Sequence, residues 1–321
     1  MTLVYVSALI ALLLTLIAGV PYLDFLKKNL YGQFIREEAP VSHAKKAGTP
    51  TAGGIIIVLP AMVAATLGLL MAQRTSFDTF IILLTFALFT FIGFQDDIAK
   101  IIHKQNKGLS AKGKILLQIL IAIIPAVYVT FLGERSVSVF GLYNIDLGLL
   151  YPFFAIFVII GASNAVNLTD GLDGLAAGTM FIALAAITYL CIVTGRIDIA
   201  IVSVAITGSC LGFLYYNKLP AKIFMGDTGS LALGGVLGTL AVIGKCELWL
   251  VIIGGIFVIE ALSVILQVIS FKTTGKRIFK MSPIHHHFEL SGWSESKIVY
   301  TFWFVGLVFA VIAIMFKLYL S

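Results

Sequence analysis

The sequence is poor in charge and in cysteine. Only 12% of its 321 residues are charged and 60% are hydrophobic, whereas soluble domains carry about 25% charged residues. Three cysteines are too few for a disulfide-rich scaffold, and the 30 glycines follow no triplet period typical of collagen. So few charges cannot cover so much apolar surface in water, which excludes a water-soluble fold and an intrinsically disordered chain. The chain is therefore predicted to lie in a lipid bilayer.

Long apolar runs predict helices rather than a barrel. The strands of membrane barrels are about 10 residues long and alternate between apolar and polar side chains, whereas here the runs are continuous and long enough for helices that span a bilayer. We predict an all-α polytopic integral membrane protein with ten transmembrane helices, forming one domain over residues 1–321. The predicted runs are 3–22, 51–72, 77–95, 115–132, 149–166, 172–194, 197–216, 229–244, 248–271 and 298–318.

Lysine and arginine are distributed unevenly between the two sides. The loops that follow odd-numbered runs hold 17 of these residues, and the opposite side holds 5. Because cytoplasmic loops carry an excess of basic residues, we predict that the odd loops are cytoplasmic and that both termini are extracytoplasmic. The longest loop on the opposite side, 133–148, is predicted to pair as a small hairpin around Gly141-Leu142.

Acidic residues gather at the predicted cytoplasmic ends, beginning with Asp96 and Asp97 after the third run. The C-terminal end of a helix is partially negative, so two carboxylates there need a compensating cation. They are either solvated loop acids neutralised by Lys100 and the lysines that follow, or a site for a divalent cation or a general base. The second interpretation is favoured, because Mg²⁺ is bound by a few carboxylates together with substrate phosphate oxygens.

Polar residues recur every three positions between the fifth and sixth runs, at Asn164, Asn167, Asp170 and Asp173. On a helix this spacing keeps neighbours on one side. Helix capping is the simpler account, with Asp170 as the N-cap of the sixth helix and Asp173 at its N3 position. Capping does not explain the two carboxamides at lipid depth, where unpaired amides are costly.

Asp227 likewise has the sequence context of an N-cap, for the eighth helix. Helix N-termini attract phosphate, but carboxylates placed there would repel it unless a metal bridges them. The three acidic stretches together therefore indicate Mg²⁺ and a diphosphate. The sequence contains no set of cysteine ligands and no spaced His/Glu motif that would indicate zinc.

The last predicted cytoplasmic loop carries three consecutive histidines, His285, His286 and His287. They are either a surface polar run or imidazoles that donate hydrogen bonds to a phosphate and stabilise developing charge. Glu260 is the one acid predicted deep within a run. We interpret it as structural, paired inside the bundle with Gln267 or with a helix break.

These stretches resemble the polyprenyl-phosphate N-acetylhexosamine-1-phosphate transferase family. They cover all five predicted cytoplasmic loops in the family's order, which is more specific than any single motif. The Pro-Ile-His-His-His-Phe-Glu sequence is similar to the muramoyl-pentapeptide branch of the family, and Ala52 stands where a Met is common. The matching stretches are 45–54, 96–100, 164–175, Asn217 with 222–230, and 282–289.

The resemblance implies a multi-pass enzyme of the bacterial plasma membrane with its active site on the cytoplasmic side, a fold of ten helices and a homodimer. The implied reaction moves phospho-MurNAc-pentapeptide from UDP-MurNAc-pentapeptide to undecaprenyl phosphate, giving lipid I and UMP with Mg²⁺ as cofactor. Basic loops at the inner face would help to hold an anionic nucleotide and an anionic lipid.

The resemblance also implies roles for individual residues. Asp227 would hold Mg²⁺ with Asn167 near it, Asp96 and Asp97 would supply the base or the diphosphate site, and His285 would be essential. The uridine nucleotide would be contacted by Lys46, Asp173, Asn217 and Phe224. His286 and His287 would lie near the sugar phosphates. Asp170 would also bind substrate.

Two alternatives stay open. A related transferase could use another UDP-sugar. A secondary transporter also has about ten spans, but transporters place ionisable residues near the bilayer midplane and usually contain repeats. In this sequence only Glu260 is predicted to be deep, and no internal repeat is visible.

Overall fold

The computed structural model of the chain describes residues 2–29, 48–102 and 108–320. Ten helices within these ranges are long and apolar enough to cross a membrane, which confirms the predicted number of spans. The helices are α1 (Thr2–Lys28), α2 (Ile55–Ala72), α3 (Phe77–Ile102), α4 (Ala111–Phe131), α5 (Tyr151–Thr169), α6 (Leu175–Val193), α7 (Ile197–Asn217), α8 (Gly226–Ile243), α9 (Glu247–Ile253), α10 (Gly255–Thr274), α11 (Ile284–Glu289) and α12 (Glu295–Tyr319).

The ninth predicted run is divided into two helices. The chain leaves helical geometry at Gly254, with φ −86° and ψ 19°, so that α9 ends before it and α10 begins after it. A Cβ at Gly254 would lie 2.8 Å from the Leu250 carbonyl oxygen. Hydropathy does not reveal this break, because apolar residues continue on both sides.

The predicted hairpin is confirmed, and it adds a small sheet to the all-α prediction. Strands β1 (Ser136–Val139) and β2 (Tyr143–Asp146) are antiparallel, and Val139 pairs with Tyr143 across the turn. The turn contains Gly141 at φ +85°, a left-handed conformation that glycine adopts at little cost.

Helix α8 is the centre of the bundle, where it packs chiefly between α3 and α5. Every residue of α8 from Thr228 to Ile243 is buried. The close approach of the backbones requires glycine, because a side chain at Gly93 of α3 would overlap the carbonyl group of Asp227. This packing holds the first turn of α8 beside the last turns of α3 and α5, which carry the predicted site residues.

Candidate active site

Three of the predicted acidic residues meet at the start of α8. Asp96 and Asp97 lie in the last two turns of α3 and are each 1% exposed, while Asp227 stands in the first turn of α8. One carboxylate oxygen from each residue lies within 4.8 Å of the other two. These residues form the acidic cluster. The third run was predicted to end at residue 95, but α3 continues through Asp96 and Asp97 to Ile102.

Two lysines neutralise part of the charge of the acidic cluster. Lys100 Nζ lies 2.7 Å from Asp96 Oδ2 and 3.4 Å from Asp227 Oδ1. Lys114, in the first turn of α4, has its Nζ 2.6 Å from Asp227 Oδ2 and 3.1 Å from Asp96 Oδ1. Neutralisation by Lys100 and the lysines that follow it belonged to the interpretation that the sequence did not favour, in which Asp96 and Asp97 are solvated loop acids; both carboxylates are buried instead. Which of the following lysines joins Lys100 depends on how α4 packs beside α3, and the sequence does not single out Lys114 among them.

The N-terminus of α8 is capped by a side chain from another helix. Asp97 Oδ1 accepts a hydrogen bond from the Asp227 amide at 3.1 Å, and Asp97 Oδ2 accepts from the amide and the hydroxyl of Thr228 at 2.9 and 2.6 Å. The prediction that Asp227 is itself the N-cap is wrong, since Met225 takes that position without a side-chain bond. A local motif cannot reveal a cap supplied by α3. The Asp227 side chain therefore faces the lysines instead.

The carboxamides predicted at lipid depth have polar partners. Asn167 Nδ2 donates to Asp227 Oδ1 at 3.0 Å and to Ser230 Oγ at 2.8 Å. One turn earlier, Asn164 Nδ2 donates to Gln118 Oε1 at 2.7 Å. Ser230 lies in the matching stretch 222–230, whereas Gln118 was not predicted, because it lies among apolar residues in the middle of α4 and belongs to no motif.

The prediction that Asp170 caps α6 with Asp173 at N3 is also wrong. Asp170 is the C-cap residue of α5, and the N-cap position of α6 is taken by Gly174 at φ +77°. The glycines of Asp-Gly-Leu-Asp-Gly let the chain turn between the two helices, so the second helix begins later than a capping motif implies. Burial, followed by the charges of Asp227 and Asp97, raises the pKa of the Asp170 carboxyl well above its usual range.

Two of the residues predicted to contact the nucleotide join neighbouring loops. Asp173 Oδ2 accepts a hydrogen bond from the Ala221 amide at 2.9 Å. Asn217 Oδ1 accepts from the Gly174 amide and its Nδ2 donates to the Ile223 carbonyl, both at 3.0 Å. The α5–α6 and α7–α8 loops are thereby held together beside the acidic cluster.

Phe224 lies just before α8. Its amide donates to the Pro50 carbonyl at 2.8 Å, and its own carbonyl accepts from the Gly53 amide at 2.9 Å. These bonds tie the segment that precedes α2 to the start of α8. Lys46 lies outside the described residues, so its predicted contact with the nucleotide stays a prediction.

The three consecutive histidines have different environments. His285 is fully buried, which contradicts a surface polar run at this position. His286 Nδ1 lies 2.9 Å from Glu289 Oε2, and His287 Nδ1 accepts a hydrogen bond from the Lys280 amide at 3.1 Å. The triplet is therefore not one uniform patch.

The predicted pairing of Glu260 with Gln267 is wrong. Glu260 Oε1 lies 3.1 Å from His285 Nδ1. Gln267 instead binds backbone groups of the segment after α10, with its Oε1 accepting from the amides of Ile278 and Phe279. The acid predicted to be remote from the site thus contacts one of its histidines, a pairing that depends on how the segment after α10 folds back.

The acidic cluster has the donor set of a site for a hard cation. The three groups that converge are carboxylates, and Mg²⁺ prefers oxygen ligands. The cluster also attracts positive charge already, since the ammonium groups of Lys100 and Lys114 lie against its oxygens. The cluster could therefore hold a metal ion.

Comparisons with known proteins find relatives along nearly the whole chain. The family model for glycosyl transferase family 4 matches residues 79–245, which include the acidic cluster. A Bacillus subtilis protein named phospho-N-acetylmuramoyl-pentapeptide-transferase is 49% identical over 319 residues, covering 98% of each chain. Proteins of the same name from Anoxybacillus flavithermus and a Geobacillus species are 50% and 48% identical, covering 96% and 98% of each chain.

The chain belongs to the phospho-N-acetylmuramoyl-pentapeptide transferase family.

Membership agrees with the resemblance seen in the sequence. The identity extends over nearly the whole of both chains, whereas the family model ends at Lys245, before the helix that carries the histidines. The full-length relatives are thus the comparison that covers α10 and α11.

Proposed function

We propose that this protein transfers phospho-MurNAc-pentapeptide from UDP-MurNAc-pentapeptide to undecaprenyl phosphate, as the names of its relatives indicate. In the net reaction a phosphate oxygen of the lipid forms a new bond to the sugar-bearing phosphorus. The bond from that phosphorus to the bridging oxygen breaks, and UMP leaves. The product is lipid I, formed in the first membrane step of peptidoglycan synthesis.

The observation that carries this proposal is the acidic cluster with its two lysines at the start of α8. Of the three carboxylates, Asp227 is the most accessible, with a side chain 14% exposed. Asp96 and Asp97 are buried and already bind Lys100, Lys114 or the first amides of α8. We infer that Asp227 faces the diphosphate. Asp96 and Asp97 contribute indirectly, because they hold the two lysines and the N-terminus of α8 in place.

Asp227, with Asn167 beside it, would hold Mg²⁺. When bound, the ion neutralises the diphosphate and stabilises charge on the departing phosphate. Lys100 and Lys114 add positive charge for the same oxygens. Asn167 keeps Asp227 in place through the 3.0 Å hydrogen bond between them.

The uridine nucleotide would bind where the loops meet, next to Asp173, Asn217 and Phe224. The hydrogen bonds among these loops give it a preformed surface. We place Asp170 at the edge of the same surface. The sugar phosphates would lie toward His286 and His287.

His285 would act on the transferring phosphate group. A buried imidazole is held in a fixed orientation, and such preorganised groups stabilise charge that develops in the transition state. His285→Ala should therefore lower kcat far more than it raises the KM for UDP-MurNAc-pentapeptide.

We further propose that the site faces the cytoplasm of a bacterial cell and that both termini lie outside it. The proposal is supported by the distribution of lysine and arginine, 17 on one side and 5 on the other. Thr75, after α2, and Thr273, in the last turn of α10, are exposed. An impermeant maleimide should label Thr75→Cys in intact cells and Thr273→Cys only after lysis, and the reverse result would invert the topology. The homodimer implied by the resemblance stays a prediction.

Turnover with defined substrates tests the function. The purified protein, undecaprenyl phosphate, Mg²⁺ and radiolabelled UDP-MurNAc-pentapeptide should give a labelled lipid and free UMP in equal amounts. UDP-GlcNAc serves as the matched sugar-nucleotide control and should give no labelled lipid. Activity with UDP-GlcNAc alone would indicate a related transferase, and uptake of the intact nucleotide into proteoliposomes without UMP would indicate a transporter.

A further inference from the structure

Two buried titratable side chains meet between α10 and α11. Glu260 and His285 are both 0% exposed, and His285 Nδ1 lies 3.1 Å from Glu260 Oε1. The remaining polar atom of each side chain, His285 Nε2 and Glu260 Oε2, has no hydrogen-bond partner within the described ranges. The contact is therefore the main polar interaction of both groups.

When Glu260 is ionised, this contact determines which ring nitrogen of His285 carries the proton. An ionised carboxylate only accepts hydrogen bonds, so the nitrogen that faces Glu260 is the donor. Nδ1 is then protonated, and Nε2 is the nitrogen that remains for another partner.

The unpartnered Nε2 faces the loop that borders the acidic cluster. A Cβ added at Gly171 would overlap His285 Nε2, so only glycine leaves this nitrogen its room. Gly171 directly follows Asp170, the C-cap residue of α5, and the last turn of α5 carries Asn167, which donates a hydrogen bond to Asp227. Nε2 is thus aimed at the side of the molecule where the diphosphate is proposed to bind.

We propose that Glu260 is a positioning residue for the transfer reaction. It holds the Nδ1–H of His285 and so presents Nε2 to the phosphate group that is transferred. A carboxylate buried in a membrane helix is costly without such a partner, and this assignment gives Glu260 a reason to be there. The inference rests on the proposed role of His285.

Kinetics in two backgrounds test the proposal. Glu260→Gln keeps the size of the side chain but removes its charge, and it should lower kcat about 10- to 100-fold, as the loss of a supporting partner typically does, with little change in KM for UDP-MurNAc-pentapeptide. In a His285→Ala background the same substitution should cost nothing further, because its effect passes through the missing ring. An equal loss in both backgrounds would mean that Glu260 is only structural and would overturn the proposal.

Nitrogen NMR of protein labelled at its histidines measures which ring nitrogen of His285 is protonated, and it does not depend on turnover. In the wild type His285 should carry its proton on Nδ1, and in Glu260→Gln the neutral ring with its proton on Nε2 should gain population. Glu289→Gln is the matched control, because it changes the carboxylate beside His286 and should leave the proton of His285 on Nδ1. A His285 ring that keeps the Nδ1 proton in Glu260→Gln contradicts the proposal.

Glu260→Asp keeps the charge on a shorter side chain and guards against a folding defect of the amide variant. It should retain the Nδ1 proton and recover most of the turnover, whereas a loss as large as that of Glu260→Gln counts against positioning by charge. If His285→Ala itself turns over at the wild-type rate, the proposed role of His285 fails. The NMR result would still show whether Glu260 orients the ring.

Discussion

The two ends of α3 carry aspartates in opposite electrostatic settings. Asp78 lies in the first turn, where the helix dipole favours a carboxylate, and Asp96 and Asp97 lie in the last two turns, where it does not. Asp78 Oδ1 accepts a hydrogen bond from the Tyr128 hydroxyl at 2.6 Å, and its Oδ2 forms an ion pair with Arg196. Asp78 and Asp96 are about 27 Å apart along the helix at a rise of 1.5 Å per residue.

The difference separates stability from function. Asp78 follows the rules for a stable helix start, whereas Asp96 and Asp97 each oppose the dipole at a cost of about 0.3–1 kcal/mol. Their compensation comes from Lys100, from Lys114 and from the first amides of α8, all of which belong to the proposed site. Residues that are unfavourable for their local secondary structure are expected at functional sites.

Removal of the metal should have the largest effect on turnover, and it should affect only the C-terminal end of α3. Excess EDTA should abolish turnover, and added Mg²⁺ should restore it, because a diphosphate beside three carboxylates is repelled without a divalent cation. Release of UMP is the measurement. The pairs around Asp78 need no metal, so the protein should stay folded in EDTA, as judged by its thermal unfolding midpoint in detergent. Undiminished turnover in EDTA would remove the metal from the mechanism.

Asp227→Asn should come next, with a loss of at least about 10²- to 10³-fold in kcat, the usual cost of one preorganised group. Folding should be preserved, because Asp97 rather than Asp227 caps α8. The matched control is Asp198→Asn. Asp198 lies in the first turn of α7, where its Oδ2 accepts a hydrogen bond from the Ser76 hydroxyl at 2.7 Å.

The Asp198 variant should turn over near the wild-type rate. Manganese binding followed by electron paramagnetic resonance provides a second measurement, since Asp227→Asn should weaken it and Asp198→Asn should not. A fully active Asp227→Asn enzyme would leave the acidic cluster with a structural role only.

The sequence predicted the ten spans and the acidic residues because both are signals of composition. The length of an apolar run shows directly whether it can span a bilayer. Asp96, Asp97 and Asp227 are conspicuous because charged residues are rare in this sequence. The helix caps could not be predicted in this way. The cap of α8 comes from α3, and the start of α6 is set by Gly174 rather than by the aspartate before it.

Side-chain pairs that depend on how the helices pack could not be predicted from the sequence either. Lys114 is one of several lysines in its predicted loop, and only the position of α4 selects it for the acidic cluster. Glu260 and His285 are separated by 25 residues, and the break at Gly254 that starts α10 is hidden in an apolar run. Pairs of this kind follow from the tertiary fold and leave no periodic signal in the chain.

Gly93→Ala should have a smaller effect than Asp227→Asn. The added methyl group would overlap the carbonyl of Asp227, so α3 and α8 must move apart and Asp227 must shift. A displacement of this kind is expected to lower turnover about 10- to 100-fold, together with a lower thermal midpoint. Gly161→Ala is the matched control, because Gly161 of α5 is exposed and a Cβ there meets no atom within 4 Å. Equal effects of the two substitutions would mean that the approach of α3 to α8 does not position the site.

Asp78→Asn should have the smallest effect. The amide can still accept from Tyr128 but loses the charge that pairs with Arg196, whose side chain is 30% exposed, beside an Asp78 side chain that is 23% exposed. Partly exposed ion pairs contribute only about 0–1 kcal/mol, so the thermal midpoint should fall slightly and kcat should stay at the wild-type value. Unfolding in detergent and UMP release on the same preparation measure both quantities. If Asp78→Asn lowered kcat as much as Gly93→Ala does, the two ends of α3 would be coupled, and the separation of stability from function along this helix would be wrong.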